Sequence, residues 1–115
     1  MEEGCLFCKI VAGKIPSEIV YQDERVIVIR DISPQAPVHL LVMPKEHIPS
    51  LRELGPGQAQ LTAHLLYVAN EMARREGVAE RGYRVATNCG REGGQAIPHL
   101  HFHLLGGRQL SGTLG

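Results

Sequence analysis

The stretch His99 Leu100 His101 Phe102 His103 Leu104 Leu105 alternates imidazole rings with apolar side chains. A strand sends successive side chains to opposite faces, so a strand over Leu100 to Leu105 points the histidines one way and Leu100, Phe102 and Leu104 the other. One face then belongs to a core and the other to chemistry. Rings two residues apart on a strand are separated by roughly 6 to 7 Å, a spacing that suits a phosphate group lying along the row. Imidazole titrates near neutral pH, so one neutral ring can attack phosphorus while a neighbour hydrogen-bonds the oxygens or supplies a proton. Two other readings of the row are a solvated strand face and a three-histidine zinc centre in which bound water is the nucleophile. Against the zinc centre, a third ring on one flat strand splays away from a common metal.

Outward from that row, Asn88 to Pro98 carries Gly90, Gly93 and Gly94, a loop suited to close backbone approach by a ligand. Tyr83 to Thr87 before it reads as a strand. Further upstream, Leu61, Leu65, Val68, Ala69 and Met72 recur at helical spacing in a long helix that opens at Pro56, carries Arg74 and Arg75 in its last turn and stops at Gly77. Ser50 and Glu53 have the spacing of a capping box, which predicts a short helical turn ending at Gly55. His64, inside the long helix, reads as structural or solvent-exposed. Strands are expected over Glu18 to Gln22 and Arg25 to Arg30, joined by a hairpin at Asp23 and Glu24, and over His39 to Met43. Between the last two, Pro34 and Pro37 make Ile32 to Val38 an ordered loop. Leu6 to Val11 forms one or two helical turns ending at Gly13. The fold class is α+β, a mainly antiparallel sheet carrying one long helix.

With 115 residues the chain is expected to be a single domain over residues 1–115. Twelve basic and twelve acidic side chains leave no net charge, which argues against long nucleic acid or an anionic membrane as partner and for a small ligand. No apolar run is long enough to span a bilayer and no charged region precedes one, so neither export nor membrane insertion is expected. Three cysteines, two of them close together at Cys5 and Cys8, suggest a reducing compartment, and the cytoplasm is the expected location. Cys5 and Cys8 also have the spacing by which two thiolates chelate one zinc, although tetrahedral closure needs two further ligands. Cys89 has no evident role.

The histidine row, together with Asp31 Ile32 Ser33 Pro34 Gln35 Ala36 Pro37, His39, Pro44 Lys45, His47, Asn88, Gly93 Gly94 Gln95 and the ending Gly106 Gly107 Arg108 Gln109, resembles the histidine triad superfamily over nearly the whole chain. The ending looks like the Hint branch, whose members hydrolyse purine nucleoside phosphoramidates. The resemblance implies a five-stranded antiparallel sheet with a long helix and a short N-terminal helix, extended across a homodimer. It makes His101 the nucleophile that attacks the α-phosphorus and forms a nucleotidyl-histidine, His103 and His39 the rings beside the phosphate, and the His99 carbonyl the group that orients His101. Asp31 matches the ribose ligand, and a carboxylate can accept from both ribose hydroxyls. Asn88, Gly94, Gln95 and Ala96 match the phosphate-side loop. Phe7, Ile10, Ile15, Ile29, Ile32 and Leu41 match the slot for a purine base. Bacterial relatives imply a structural zinc held by Cys5, Cys8, His47 and His99, with no metal required for the chemical step.

Two positions depart from the Hint pattern. Ala96 stands where a serine usually hydrogen-bonds the departing nitrogen, and Pro98 is more similar to dinucleoside polyphosphate hydrolases and general bacterial relatives. The alternatives are therefore cleavage of Ap3A- or Ap4A-type dinucleoside polyphosphates and, in a different class, a non-catalytic zinc-containing nucleotide-binding module.

Overall fold

The computed structural model describes residues 4–115. Its elements are α1 (Leu6–Val11), β1 (Ile19–Gln22), β2 (Val26–Arg30), β3 (Val38–Pro44), α2 (Ala59–Arg75), β4 (Tyr83–Ala86) and β5 (Phe102–Gly106). The strands form one antiparallel five-stranded sheet in the order β1-β2-β3-β5-β4. The α+β architecture expected of the chain is therefore the one observed.

Apart from His39 and His103 and the strand-end Arg30, the central strands are apolar because both of their faces are covered. Val26, Val28, Leu40 and Val42 pack with Leu61, Leu65, Val68, Ala69 and Met72 of α2, and Leu100, Phe102 and Leu104 join them. The alternate residues Ile27, Ile29, Leu41 and Met43 pack with Cys5, Phe7, Cys8 and Ile10 of the N-terminal segment. By the same parity His39 and His103 belong to this second face, His103 being paired with Leu41. The short helix α1 thus roofs the face that carries the histidines.

Helix α2 ends as the sequence predicts. Gly77 has φ +77°, the amide of Val78 donates to the Ala73 carbonyl at 3.0 Å and that of Gly77 to Arg74 at 3.2 Å, which is the Schellman closure. Glu76 then receives both terminal nitrogens of Arg30 at 2.7 and 2.9 Å, tying the end of β2 to the end of the helix. At the other end of β2, Asp23 closes the hairpin by accepting from the Arg25 and Val26 amides, and its second oxygen meets Tyr21 at 2.7 Å and His64 at 2.6 Å. His64 is thus a structural tie between helix and hairpin.

Several boundaries differ from expectation. Pro56–Gln58 forms a separate 3₁₀ turn before α2, because the Gln58 side chain accepts from the Gly55 amide and closes the chain there. The Ser50 and Glu53 spacing caps the turn without closing the expected capping box: the Ser50 hydroxyl accepts from the Arg52 amide and donates to the Glu53 carboxylate. The histidine strand is shorter than the predicted Leu100 to Leu105. The Leu100 amide donates to the Ile48 carbonyl at 2.7 Å and the His101 carbonyl accepts from the Thr87 hydroxyl at 2.7 Å, so ladder pairing begins only at Phe102. Thr87 leaves the predicted Tyr83 to Thr87 strand for the same reason.

Candidate functional site

Because residues 99–101 precede the ladder, their backbone groups are available to side chains. Nδ1 of His101 lies 2.7 Å from the carbonyl oxygen of His99. A carbonyl can only accept, so Nδ1 carries the proton and the neutral ring presents an unprotonated Nε2. The ring is buried, and the ring of Phe7 meets it edge-on at 5.1 Å between centroids. The His103 ring lies 5.1 Å from the other side of the row, closer than an ideal strand spacing provides.

His103 is organised from β3 and from the loop before it. The Gln35 amide donates to Nδ1 of His39 at 3.1 Å, so in the neutral ring the proton of His39 sits on Nε2. That nitrogen lies 2.9 Å from Nδ1 of His103, which must then accept, leaving the His103 proton on Nε2. A single backbone N–H thereby sets the tautomers of two rings in series and aims one N–H donor away from the pair. Burial lowers the pKa of both rings. It outweighs the carboxylate of Asp31 beside His39 and, reinforced by the repulsion that a protonated His101 or His39 would exert, holds His103 at about 4. Both rings are neutral at pH 7, as the series requires. Asp31 accepts from the Ser33 amide at 2.8 Å through one oxygen and holds the other 3.5 Å from His39 Nε2.

The glycine loop is braced by its own amides. Gln95 accepts from the Gly90 amide and donates to the Pro49 and Ile97 carbonyls, which uses both of its N–H bonds. Asn88 donates to the Gly93 carbonyl at 2.7 Å. Gly93 is required by close approach, since a Cβ there would stand 2.3 Å from the Cys89 carbonyl oxygen, and Gly94 by its φ of +81°. Ala96 is exposed. Of the positions expected to hold a base, Phe7, Ile10, Ile29 and Leu41 form one cluster with Ile15 packed against it. Ile32 stands apart, 94% exposed.

A second cluster lies under α1. Cys5 Sγ is 3.2 Å from His99 Nδ1, and Cys8 Sγ is 3.3 Å from His47 Nδ1 and 3.6 Å from His99 Nδ1. A tetrahedron with Zn–S of about 2.3 Å and Zn–N of about 2.0 Å has sulfur–nitrogen edges of roughly 3.5 Å, so these separations fit one zinc ion. All four donor atoms lie within 4.8 Å of one another. The tautomer also fits: Nε2 of His99 lies 2.8 Å from the Pro44 carbonyl and donates to it, which leaves Nδ1 unprotonated and facing the sulfurs. Burial lowers the pKa of His99, keeping the ring neutral and able to ligate. His99 therefore turns its ring to the thiols and its carbonyl to His101.

Sequence reasoning did not anticipate the Gln35 amide, the Thr87 hydroxyl or the ring contact of Phe7 with the histidines. The first is a main-chain group with no side-chain signature. Only the two prolines around Gln35 hint at a rigid loop. Cys89 lies 3.6 Å from the Ser50 hydroxyl, which together with the Arg52 amide lowers its pKa.

Over residues 4–114 the chain matches the family model described as scavenger mRNA decapping enzyme C-term binding. It is 46% identical over 114 residues to the purine nucleoside phosphoramidase of Escherichia coli (strain K12), a match covering 99% of this chain and 96% of that protein. A 14 kDa zinc-binding protein of Zea mays is 45% identical over 108 residues, covering 92% of this chain and 84% of that protein. Among solved structures, a HIT family hydrolase from Clostridium thermocellum superposes with a TM-score of 0.96 at 48% identity, covering 99% of both chains.

Proposed function

The chain is an enzyme of the histidine triad superfamily, and on that premise we propose that it hydrolyses purine nucleoside phosphoramidates or related nucleotides at the α-phosphate, through a covalent nucleotidyl-histidine. The observation that carries this reading is the 2.7 Å contact of His101 Nδ1 with the His99 carbonyl, which leaves the Nε2 lone pair for attack. Nε2 bonds to the α-phosphorus as the bond from phosphorus to the leaving nitrogen breaks, and the leaving amine takes up a proton from solvent, balanced by the one the hydrolytic water releases in the second step. Water then attacks the same phosphorus, the bond from phosphorus to Nε2 breaks, and the nucleoside monophosphate departs.

The N–H of His103, fixed by His39, donates to phosphate oxygens that gain charge in the transition state. It does so as a neutral donor, so it leaves the nucleophile's lone pair undisturbed by a neighbouring cation. Asp31 accepts from the ribose hydroxyls, and Asn88, Gly94, Gln95 and Ala96 line the phosphate side. Phe7, Ile10, Ile15, Ile29 and Leu41 flank the base, with the exposed Ile32 at its solvent side. Cys5, Cys8, His47 and His99 hold a structural zinc, which when bound cross-links the N-terminal segment to the sheet and has no open position for catalysis. The thiolates this requires agree with a reducing cytoplasm.

The chain works as a homodimer in this reading, a second copy covering the sheet edge at β4 and the exposed Leu66 of α2. Among the described residues, no helix is long and apolar enough to cross a membrane. Cleavage of dinucleoside polyphosphates is the second reading, favoured by Ala96, which offers no hydroxyl to a departing nitrogen. The test is a comparison of kcat/KM on adenosine phosphoramidate and on diadenosine tri- and tetraphosphate, with acid-quench trapping of an adenylylated protein. No turnover of any of them and no adduct would leave a binding module instead.

A further inference from the structure

Beyond the groups around the phosphate, the C-terminal segment reaches the same machinery from outside. The guanidinium of Arg108 donates to the Gln35 carbonyl at 2.8 Å and, through its other terminal nitrogen, to the Gln109 carbonyl at 3.0 Å. The residue it grips is the one whose amide donates to His39. A second contact joins the same two segments: Gly107 has φ +96°, and a Cβ at that position would stand 2.9 Å from Cβ of Pro37. The tail after β5 is therefore pressed against the loop before β3 at Gly107 and pinned to it at Arg108.

From this geometry we infer that Arg108 is a positioning residue for the proposed reaction, holding Gln35 so that its N–H selects the tautomers of His39 and His103. The inference rests on the phosphoryl-transfer reading of the site but concerns a residue that touches no substrate. Its logic is one of orientation. An imidazole in water divides its proton between two nitrogens, and only one arrangement of the pair puts an N–H on the outer face of His103. The Gln35 amide selects that arrangement only while it points at Nδ1 of His39. Pro34 and Pro37 restrict the loop but provide no bond that fixes the rotation of the Gln35 residue between them. The Arg108 guanidinium, anchored on the Gln109 carbonyl through one nitrogen and donating to the Gln35 carbonyl through the other, is the side-chain contact that does so.

The contact is solvent-exposed, so the expected effect is moderate: in Arg108→Ala, kcat falls roughly threefold to tenfold with KM within about twofold. Arg108→Lys, which reaches the Gln35 carbonyl without bridging to Gln109, recovers part of that loss. The deciding readout is nitrogen NMR of histidine-labelled protein at pH 7.5, where protonated and unprotonated ring nitrogens have well-separated shifts. In the unaltered chain His39 and His103 are each protonated at Nε2 alone. In Arg108→Ala both shift toward a mixture, while His101 keeps its proton on Nδ1. A thermal melt of each variant separates this from general loosening. Unchanged tautomers in Arg108→Ala would overturn the inference, whatever the activity. An inactive unaltered chain with tautomers that still respond to Arg108 would instead overturn the proposed reaction and leave the positioning role standing.

Discussion

The carbonyl oxygen of His99 and Nδ1 of His101 lie 2.7 Å apart, while the ring of His99 faces Cys5 and Cys8. One residue therefore links the thiol cluster to the His101 ring. Whatever fixes the His99 ring also fixes the carbonyl that sets the His101 tautomer.

Replacement of His101, the proposed nucleophile, separates chemistry from stability. His101→Ala is expected to abolish the acid-labile nucleotidyl adduct and to lower kcat at least about a thousandfold. The ring's main neighbours are the edge of Phe7 and the His103 ring, so Tm is expected to fall by only a few degrees. Rapid-quench labelling and a melting curve on the same preparation check both parts.

Removing metal should do the reverse. Elemental analysis is expected to find one zinc per chain, and chelation, or Cys8→Ser, to lower the melting temperature by more than about 5 °C through loss of the cross-link beneath α1. At temperatures where the chelated protein is still folded, activity falls severalfold at most, because the His101 tautomer is loosened but the nucleophile remains. Full loss of activity restored by zinc would instead make the metal part of the reaction.

The pH dependence of stability follows from buried histidine. The folded state holds His103 neutral down to about pH 4, while in the unfolded chain it ionises near 6.5. As pH falls below 6.5 the unfolded state takes up the proton first, so the contribution to stability declines from pH 6.5 to about 4 and is then constant. Asp23 acts over the lower part of the acid range. Burial opposes its ionisation, but hydrogen bonds from Tyr21, His64 and two amides hold its pKa below the usual carboxylate value, so its stabilisation is present at neutral pH and lost on acidification. Urea unfolding at a series of pH values measures the combined slope, and a proton NMR titration locates His103 itself. A midpoint for His103 near 6.5 would contradict the burial argument.

Glu76→Gln removes the charge that Arg30 grips with two nitrogens. The Arg30 hydrogen bonds and charge lower the Glu76 pKa against the opposing effect of burial, consistent with a favourable pair. Partial exposure of Arg30 limits the expected cost to about 1 kcal/mol, measurable as a shift in the urea midpoint without a change in m-value.

Ala96→Ser restores a hydroxyl to the mouth of the loop. Turnover of adenosine phosphoramidate is expected to rise several-fold, with turnover of diadenosine polyphosphates unaltered, since their oxygen leaving group needs less help in departing. Equal rates for both proteins on the phosphoramidate would remove Ala96 as a determinant of leaving-group preference.

Periodicity made the broad fold legible. The spacing of Leu61, Leu65, Val68 and Met72, the stop at Gly77 and the valine-rich hairpin depend on neighbours a few residues away, and the structure contains each of them. The strand ends at Leu100 and Thr87 were misread because hydrogen bonds to Ile48 and His101, distant in the chain, replace ladder pairing there. In the candidate site, the residue types of the histidine row and the cysteine pair were visible at once. Ile32 was expected among the base-slot residues, yet its hydropathy alone gave no sign that its side chain stands almost wholly in solvent.

Residue type and local spacing by themselves determined which groups this chain has for chemistry: a closely spaced cysteine pair, three alternating imidazoles and a glycine-rich loop. Tertiary structure decided what each imidazole does. A histidine's role depends on which of its two nitrogens carries the proton, and that is set by a single partner: the His99 carbonyl for His101, the Pro44 carbonyl for His99, the Gln35 amide for His39, and His39 in turn for His103. The His99 carbonyl is a near neighbour in sequence. The partners that separate the roles of the other rings arrive through the fold, from β3 and the loop before it, and only close packing holds them within hydrogen-bond reach.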